Sequence, residues 1–288
     1  MDTLMDVSAL NNRMTSGQRT VLLDVRWALG DPHGHGHYLK EHIPGAVYVD
    51  LPTQLAEPAA PERGRHPLPP VDKLQEHARC WGICERDVVV AYDDSGNMSA
   101  ARLWWMLRNA GLADVFLLDG GLPAWRAAGL PVEGGAEQPV IGNVTLAEGR
   151  MPAIDAARTA DWALGGVLLD ARAGERYRGE IEPVDPRAGH IPGAVSAPTS
   201  GNLTGDGHFL PAQELRHRFL ELGVGPDVPT AVYCGSGVTA AHQIAALEIA
   251  GFSAALFPGS FSEWSNNAAN AVVTGAAPYS TDSEAAPG

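Results

Sequence analysis

The sequence contains no stretch that approaches the ~20 consecutive apolar residues needed to span a bilayer as a helix. Its first residues, MDTLMDVSALNNRM, lack the basic segment followed by an apolar one that is typical of an export signal. Basic residues are scarce, because 20 Lys and Arg stand against 34 Asp and Glu for a formal net charge of −14. We therefore expect a cytoplasmic protein without a general surface for nucleic acids or anionic membranes.

Cysteine is also rare, and the three present are Cys80, Cys84 and Cys234. This number is too small for a disulfide framework and fits a reducing compartment. Cys80 and Cys84 are four positions apart, which would allow a disulfide or half of a metal site. Because no further cysteine lies nearby, we favour two packed thiols near a helix end, and Cys234 remains to be explained.

The 288 residues are 45% hydrophobic and 19% charged, as in a soluble globular protein of two ordinary domains. The chain repeats itself: HIPGAV occurs at 42–47 and again at 190–195, an offset of 190 − 42 = 148. Each copy follows a strand-like segment that ends in Asp-x-Arg, VLLDVRW in the first half and VLLDARA in the second. Two copies of more than 100 residues indicate a duplicated domain and not a solenoid.

We place the first domain at residues 1–134 and the second at 153–275. Between them, residues 135–152 are rich in Gly, Pro and polar residues and are predicted to be a linker. The last residues, 276–288, are predicted to be a flexible tail.

Within each copy, short apolar runs alternate with helical stretches. VLLDV, AVYVDL, VVVAY and VFLLD are strand-like, whereas SAARLWWMLRNAG and TAAHQIAALEIAG are helical and each ends in a Gly suited to terminate a helix. This alternation predicts an α/β fold in which each domain has a parallel sheet flanked by helices on both faces. Binding sites of such sheets lie beyond the carboxyl ends of the strands.

Cys234 stands at such a strand end in TAVYCGSGVTAAHQIAA. Gly235 and Gly237 allow the chain to curl before a helix begins near Thr239, and this geometry can turn backbone N–H groups toward a common centre. The equivalent stretch of the first copy, VVVAYDDSGNMSAARL, carries Asp93 in place of the cysteine, at an offset of 234 − 93 = 141. A carboxylate cannot serve as a sulfur nucleophile, so the first domain is expected to be catalytically silent.

Together, the duplicated Asp-x-Arg and HIPGA motifs, CGSGVTA and PGSFSEW resemble the two-domain sulfurtransferases of the rhodanese family. The resemblance covers roughly residues 5–275. The neutral CGSGVT loop is similar to that of 3-mercaptopyruvate sulfurtransferases, whereas members that use thiosulfate generally carry basic residues after the cysteine. The resemblance implies that Cys234 takes sulfur from 3-mercaptopyruvate as a persulfide and that pyruvate is released. The sulfur then passes to cyanide or to a thiol such as a thioredoxin-like protein. No cofactor is implied.

The resemblance also implies roles for other residues. Gly235, Gly237, Val238 and Thr239 would form the substrate loop around the cysteine. Arg176 matches the arginine that holds substrate in this family, although a surface ion pair would also explain it. Arg187, in EIEPVDPRAGH, is the nearest candidate for a second substrate arginine, but the loop is two residues shorter than expected and a salt bridge would account for it equally.

In the family, a serine two residues after the cysteine joins a charge relay with a His and an Asp from the first domain. Ser236 is that serine, and the matching positions are His42 and Asp31, whose separation is 42 − 31 = 11. His42 could instead fix its turn by bonding a backbone carbonyl. The stretch HGHGH at 33–37 suggests a metal site, yet its glycine spacing favours a solvated loop and no metal is expected.

The sequence also allows alternatives to sulfur transfer from 3-mercaptopyruvate. A thiosulfate:cyanide sulfurtransferase is the nearest alternative, and a persulfide carrier that performs no catalysis is an alternative of another class. A cysteine phosphatase would need an arginine six positions after the nucleophile, where this chain has Ala240. We therefore disfavour the phosphatase.

Overall fold

In the computed structural model, which describes residues 2–147 and 149–279, the chain forms two compact units. The first unit comprises Met1–Glu57, Leu68–Met151 and Leu203–Leu210, and the second comprises Pro58–Pro67, Pro152–Asn202 and Pro211–Gly288. Each half of the sequence therefore supplies one short segment to the unit built by the other half. Among the described residues, no helix combines the length and apolarity needed to cross a bilayer.

The first unit is built on a five-stranded parallel sheet with the order β1-β5-β4-β2-β3. Its strands are β1 (Leu4–Met5), β2 (Thr20–Asp24), β3 (Val47–Tyr48), β4 (Val88–Tyr92) and β5 (Val115–Leu118). Its helices are α1 (Val7–Thr15), α2 (Gly34–Lys40), α3 (Leu51–Gln54), α4 (Val71–Cys80), α5 (Ala100–Asn109) and α6 (Gly121–Ala127). The four strands expected from apolar runs are present, and β1 is an additional strand of two residues at the sheet edge.

The second unit repeats this plan on a four-stranded parallel sheet with the order β7-β6-β8-β9. Its strands are β6 (Val167–Asp170), β7 (Val195–Ser196), β8 (Thr230–Tyr233) and β9 (Ala255–Leu256). Its helices are α7 (Ala156–Trp162), α8 (Gly174–Tyr177), α9 (Ala212–Glu221), α10 (Thr239–Ile249) and α11 (Ser260–Asn266), with a 3-10 turn at Thr199–Asn202. The predicted parallel α/β fold is confirmed in both units.

Helices α5 and α10 are deeply buried in their units. Every residue from Ala100 to Leu107 is buried, and so is every residue from Ala240 to Leu247. Both helices are followed by a glycine with positive φ, Gly111 at 99° and Gly251 at 81°. A residue with a Cβ would be strained there, so the predicted terminating glycines have a structural reason.

The segment predicted to be a linker runs along the first unit. The N–H groups of Gly142, Val144 and Ala147 donate to backbone carbonyls of α4, its following turn and the end of α5, and the Val144 side chain is buried. The division between the two units falls at Met151 and Pro152. Of the predicted tail, residues 280–288 lie outside the described residues, while the carbonyl of Pro278 accepts a 2.7 Å hydrogen bond from Gly193.

Helix α11, which follows the last strand, carries a half-buried carboxyl at Glu263. Burial and the nearby negative charge of Asp155 raise the pKa of Glu263 from 4.5 to about 6, and the positive charge of Arg63 opposes this shift. The folded state therefore holds this proton more tightly than the unfolded chain. It follows that the contribution of Glu263 to the free energy of unfolding decreases as pH rises from about 4.5 to about 6.

We expect Glu263→Gln to raise the free energy of unfolding at pH 8 by about 1–2 kcal/mol and to leave it nearly unchanged at pH 4.5. Urea unfolding of both proteins at the two pH values measures this difference. Glu62→Gln is the matched control, because Glu62 is an exposed carboxylate that lines the same surface pocket. Equal effects of the two substitutions at both pH values would contradict a raised pKa of Glu263.

Candidate active site

Cys234 directly follows β8, whose four residues are all buried. The cysteine is only 1% exposed. Its sulfur accepts a 3.1 Å hydrogen bond from the backbone N–H of Gly237, three residues further along the turn. Gly237 has φ of 76°, a conformation that a glycine adopts without strain. The loop thus wraps its backbone around the sulfur before α10 begins at Thr239, with Val238 buried at the helix start.

The start of α11 holds this loop in place. The N–H groups of Phe261 and Ser262 donate to the carbonyls of Cys234 and Gly235 at 3.0 and 2.9 Å. The hydroxyl of Ser260 accepts a 3.1 Å hydrogen bond from the N–H of Cys234. The PGSFSEW sequence therefore anchors the nucleophile loop from the neighbouring strand end, which restricts the movement of the sulfur.

The equivalent loop of the first unit shows what this backbone conformation can bind. Asp93 is completely buried, and its carboxylate accepts hydrogen bonds from the N–H groups of Ser95, Asn97, Ser99 and Ala100 at 2.7–3.1 Å. Burial raises the pKa of the Asp93 carboxyl, and these four donors oppose the shift. A loop of this kind is an anion-binding nest, and in the first unit the anion is a side chain of the protein.

The second unit receives a loop from the first half of the sequence, Pro58–Pro67. Within it, Gly64 has φ of 84°, and a Cβ at this position would lie 2.6 Å from the carbonyl oxygen of Gly259. The N–H of Arg65 donates to the hydroxyl of Ser262 at 3.1 Å. A larger residue than glycine would push this loop away from α11, so Gly64 allows the next two residues to reach the site.

The loop brings His66 to the serine beside the cysteine. Nδ1 of His66 lies 2.8 Å from Oγ of Ser236, within hydrogen-bond distance, and Ser236 is 8% exposed. A hydroxyl paired with an imidazole can take up or release a proton near neutral pH. The sequence predicted such a pair for Ser236, but with a different histidine.

The histidine and aspartate predicted for this relay have other partners in the first unit. His42 is completely buried, stacks on Tyr38 and has Nδ1 2.9 Å from the Tyr38 carbonyl. Asp31 accepts hydrogen bonds from the His33 N–H and from His37, and these contacts lower its pKa. The correction is that Ser236 is bonded to His66 and that His42 fixes its own turn, as His190 does by bonding Tyr177 in the second copy.

Arg176, in α8, lies beside the loop that follows Cys234. A Cβ built on Gly235 would be 3.4 Å from Nη1 of Arg176. The guanidinium forms ion pairs with Glu182 at 2.7 Å and Asp185 at 3.0 Å. Although burial raises the pKa of Glu182, the hydrogen bonds from Arg176 and from backbone N–H groups outweigh it, so the pKa is lowered.

Arg187, the second predicted substrate arginine, is engaged elsewhere in the second unit. Its guanidinium donates to the backbone carbonyls of Trp264, Ser265, Asn267 and Asn270 at 2.7–3.2 Å. These carbonyls belong to the end of α11 and the turn after it, so Arg187 caps that helix. A second cation near the cysteine does exist, and it is Arg65: a Cβ on Gly235 would lie 2.9 Å from its Nη2.

The structure gives the positions of the cysteines and histidines that the sequence analysis considered as metal ligands. Cys80 and Cys84 are free thiols. In HGHGH, His37 pairs with Asp31 and the stretch begins α2. Across residues 2–147 and 149–279, the set of donor atoms close enough for a metal consists of His42, Glu133 and Glu137, all within 4.8 Å of one another.

A buried cysteine at the end of a parallel strand, with arginines and a Ser–His pair beside its loop, is typical of an enzyme with a cysteine nucleophile. The model of the rhodanese-like domain matches residues 6–128 and 154–267. The chain belongs to the rhodanese family and is a sulfurtransferase.

Relatives of this chain differ in the sulfur donor that their names give. SseB of Mycobacterium tuberculosis, provisionally named a thiosulfate sulfurtransferase, is 46% identical over 95% of this chain and 98% of its own length. A Pseudomonas aeruginosa protein, provisionally named a 3-mercaptopyruvate sulfurtransferase, is also 46% identical, over 88% of this chain and 92% of its own. The crystal structure of SseA from Escherichia coli, described as a 3-mercaptopyruvate sulfotransferase, superposes with a TM-score of 0.80 at 30% identity, covering 91% of this chain and 99% of SseA.

Proposed function

We propose that this enzyme transfers the sulfur of 3-mercaptopyruvate through a persulfide on Cys234 to a thiol or to cyanide, and releases pyruvate. The observation that carries the proposal is the position of Arg176 beside Gly235. Its Nε and Nη2 donate to Glu182 and Asp185, whereas Nη1 is the group nearest to Gly235 and can donate charge-assisted hydrogen bonds to a carboxylate. The loop itself, Gly235-Ser236-Gly237, bears no charge, which suits a donor with a single carboxylate better than a compact dianion.

The proposed reaction has two halves. The Cys234 thiolate attacks the donor sulfur, the bond between that sulfur and the methylene carbon breaks, and the enolate of pyruvate departs. The thiol proton of the donor moves to this carbon, so Cys234 is left as a persulfide anion and pyruvate is complete. In the second half, the outer sulfur bonds to the acceptor and the thiolate of Cys234 returns; with cyanide the product is thiocyanate.

The groups around Cys234 have separate roles in the proposed reaction. Ser236 and His66 carry the proton from the donor thiol to the enolate carbon through the Ser236 hydroxyl. The N–H of Gly237, which donates to the sulfur, stabilises the negative charge of the thiolate. Arg176 holds the donor so that its sulfur meets Cys234, and thereby reduces the entropic cost of the attack.

The proposal is tested by incubating the purified protein with 3-mercaptopyruvate and cyanide and measuring pyruvate with a coupled dehydrogenase. The same protein is given thiosulfate and cyanide, and thiocyanate is measured. A larger kcat/KM with 3-mercaptopyruvate is the expected result. Absence of pyruvate would contradict the proposed donor, and an enzyme active only with thiosulfate would establish the nearest alternative.

A carrier without catalysis would accept sulfur at Cys234 from a protein partner and release no pyruvate. The pair formed by Ser236 and His66 argues against this alternative, because a carrier has no proton to move. The acceptor in the cell, for which we expect a thioredoxin-like protein, and the cytoplasmic location remain predictions from the sequence.

We expect His66→Asn to lower kcat with 3-mercaptopyruvate by roughly 10²-fold with little change in KM, because general acid–base catalysis is commonly worth this much. The pH dependence of kcat should also lose the limb that reports the histidine. His42→Asn is the matched control, and an equal kinetic effect of both variants would contradict the role of His66. Circular dichroism of both variants detects a loss of folding.

A further inference from the structure

Two guanidinium groups flank Gly235, and they come from distant parts of the sequence. Arg176 belongs to α8, whereas Arg65 belongs to the loop Pro58–Pro67. We infer that Arg65 is a second cation that binds the carboxylate of the sulfur donor, in the role that the sequence assigned to Arg187. The inference rests on the proposed function for the identity of the donor, and on geometry for the presence of the site.

The position of Arg65 is fixed by the protein itself. Its backbone N–H is bonded to Ser262, and its guanidinium forms an ion pair through Nη1 with the carboxylate of Asp185. The Arg65 side chain is 23% exposed and that of Asp185 only 1%. A side chain held in this way loses little further conformational entropy when a ligand arrives, which favours binding.

Arg65 keeps hydrogen-bond donors for a ligand after this ion pair has formed. A guanidinium has five N–H donors, and Asp185 is contacted through Nη1. Nη2 is the group nearest to Gly235, and Nε is buried with no hydrogen-bond partner among the described residues. Nη2 is therefore the donor of Arg65 that an anion beside the loop can contact.

Asp185 holds the two arginines in a common arrangement. Its second oxygen accepts from Nη2 of Arg176 at 3.0 Å, so one carboxylate bridges both guanidiniums. Burial and the neighbouring Glu182 raise the pKa of Asp185, whereas Arg65 and Arg176 oppose the shift. The bridge brings two cations to one side of the nucleophile loop without the repulsion that two unpaired guanidiniums would suffer.

The charge balance favours a carboxylate with one negative charge. Arg65 and Arg176 are opposed by Asp185 and Glu182, so this cluster is formally neutral before the donor binds. A monoanion gains hydrogen bonds from two planar guanidiniums and meets limited repulsion from the two carboxylates. A dianion would bring a second negative charge into a cluster that has no net positive charge to balance it, whereas a carboxylate brings one.

The inference is tested without turnover by alkylating Cys234 with iodoacetate and with iodoacetamide, which differ in bearing a carboxylate or a neutral amide. The rate at Cys234 is followed by peptide mass mapping, because Cys80 and Cys84 also react. We expect Arg65→Gln to lower the ratio of the iodoacetate rate to the iodoacetamide rate by about 10-fold, in line with the loss of one charge-assisted hydrogen bond. Arg63→Gln, an exposed position of the same loop, should keep the wild-type ratio.

A second measurement uses the enzyme in turnover. Arg65→Gln should raise KM for 3-mercaptopyruvate by about 10-fold and leave kcat within a few-fold, and Arg65→Lys should fall between it and the wild type. An unchanged alkylation ratio in a folded Arg65→Gln protein would overturn the inference. Absence of pyruvate from the wild type would instead contradict the proposed donor, and the alkylation ratio would still decide whether Arg65 binds a carboxylate.

Discussion

Cys234→Ser should abolish sulfur transfer from 3-mercaptopyruvate and from thiosulfate alike. The serine hydroxyl occupies nearly the same space and can accept from the N–H of Gly237, so the loop should keep its conformation. An alcohol, however, forms no persulfide, and the second half of the reaction then has no sulfur to transfer. The loss of kcat/KM should exceed about 10⁴-fold, which is typical when the nucleophile of a covalent mechanism is removed.

The matched control is Cys80→Ser, which changes an exposed thiol at the end of α4. Mass spectrometry of the protein after treatment with donor alone adds a direct readout. The wild type and the control should each gain one sulfur atom on the peptide that contains Cys234, and Cys234→Ser should gain none. Pyruvate release by Cys234→Ser at the wild-type rate would contradict a persulfide mechanism at this residue.

Arg176→Gln should lower kcat/KM for 3-mercaptopyruvate by roughly 10²–10³-fold. In the proposed site, Nη1 of the guanidinium would donate charge-assisted hydrogen bonds to the donor, each worth about 1.5–3 kcal/mol. The substitution also leaves Glu182 and Asp185 without this partner, and both are nearly inaccessible to solvent. Uncompensated negative charge near the loop would further repel an anionic donor.

Arg178→Gln is the matched control for this prediction, since Arg178 directly follows α8 and pairs with Glu180 at the surface. Arg176→Lys keeps the charge but not the planar group that pairs with Glu182 and Asp185, so it should recover only part of the activity. A wild-type KM in Arg176→Gln would show that the donor is held elsewhere. Thermal unfolding of all three variants reveals whether the network around Glu182 still supports the fold.

The features of this protein that the sequence predicts best are those encoded over short distances. The repeat of HIPGAV, the apolar runs and the Gly-rich loop after Cys234 are each contained in a few consecutive residues. They led to the duplicated parallel α/β fold and to the nucleophile loop. Arg176 was located in the same way, since it follows its strand closely.

His66 and Arg65 could not be located from the sequence because their function depends on contacts across the chain. The N–H of Arg65 bonds to a serine 197 positions away, and His66 meets Ser236 over 170 positions. Locally, GRHPLP is a proline-rich turn with no strand or helix period. This turn offers no signal beyond an arginine next to a histidine. The histidine of HIPGA, in contrast, lies in a recognisable motif.

The course of the loop Pro58–Pro67 limits how this protein could be divided or assembled. A fragment that begins at Pro152 would carry Cys234, Ser236 and the whole of the second sheet, yet it would lack two of the side chains beside the nucleophile. During synthesis, the loop is made long before the strands and helices against which it packs. It can therefore take its position only after those elements have been made. The candidate site therefore includes side chains from both halves of the sequence, even though the first half carries Asp93 in its own loop.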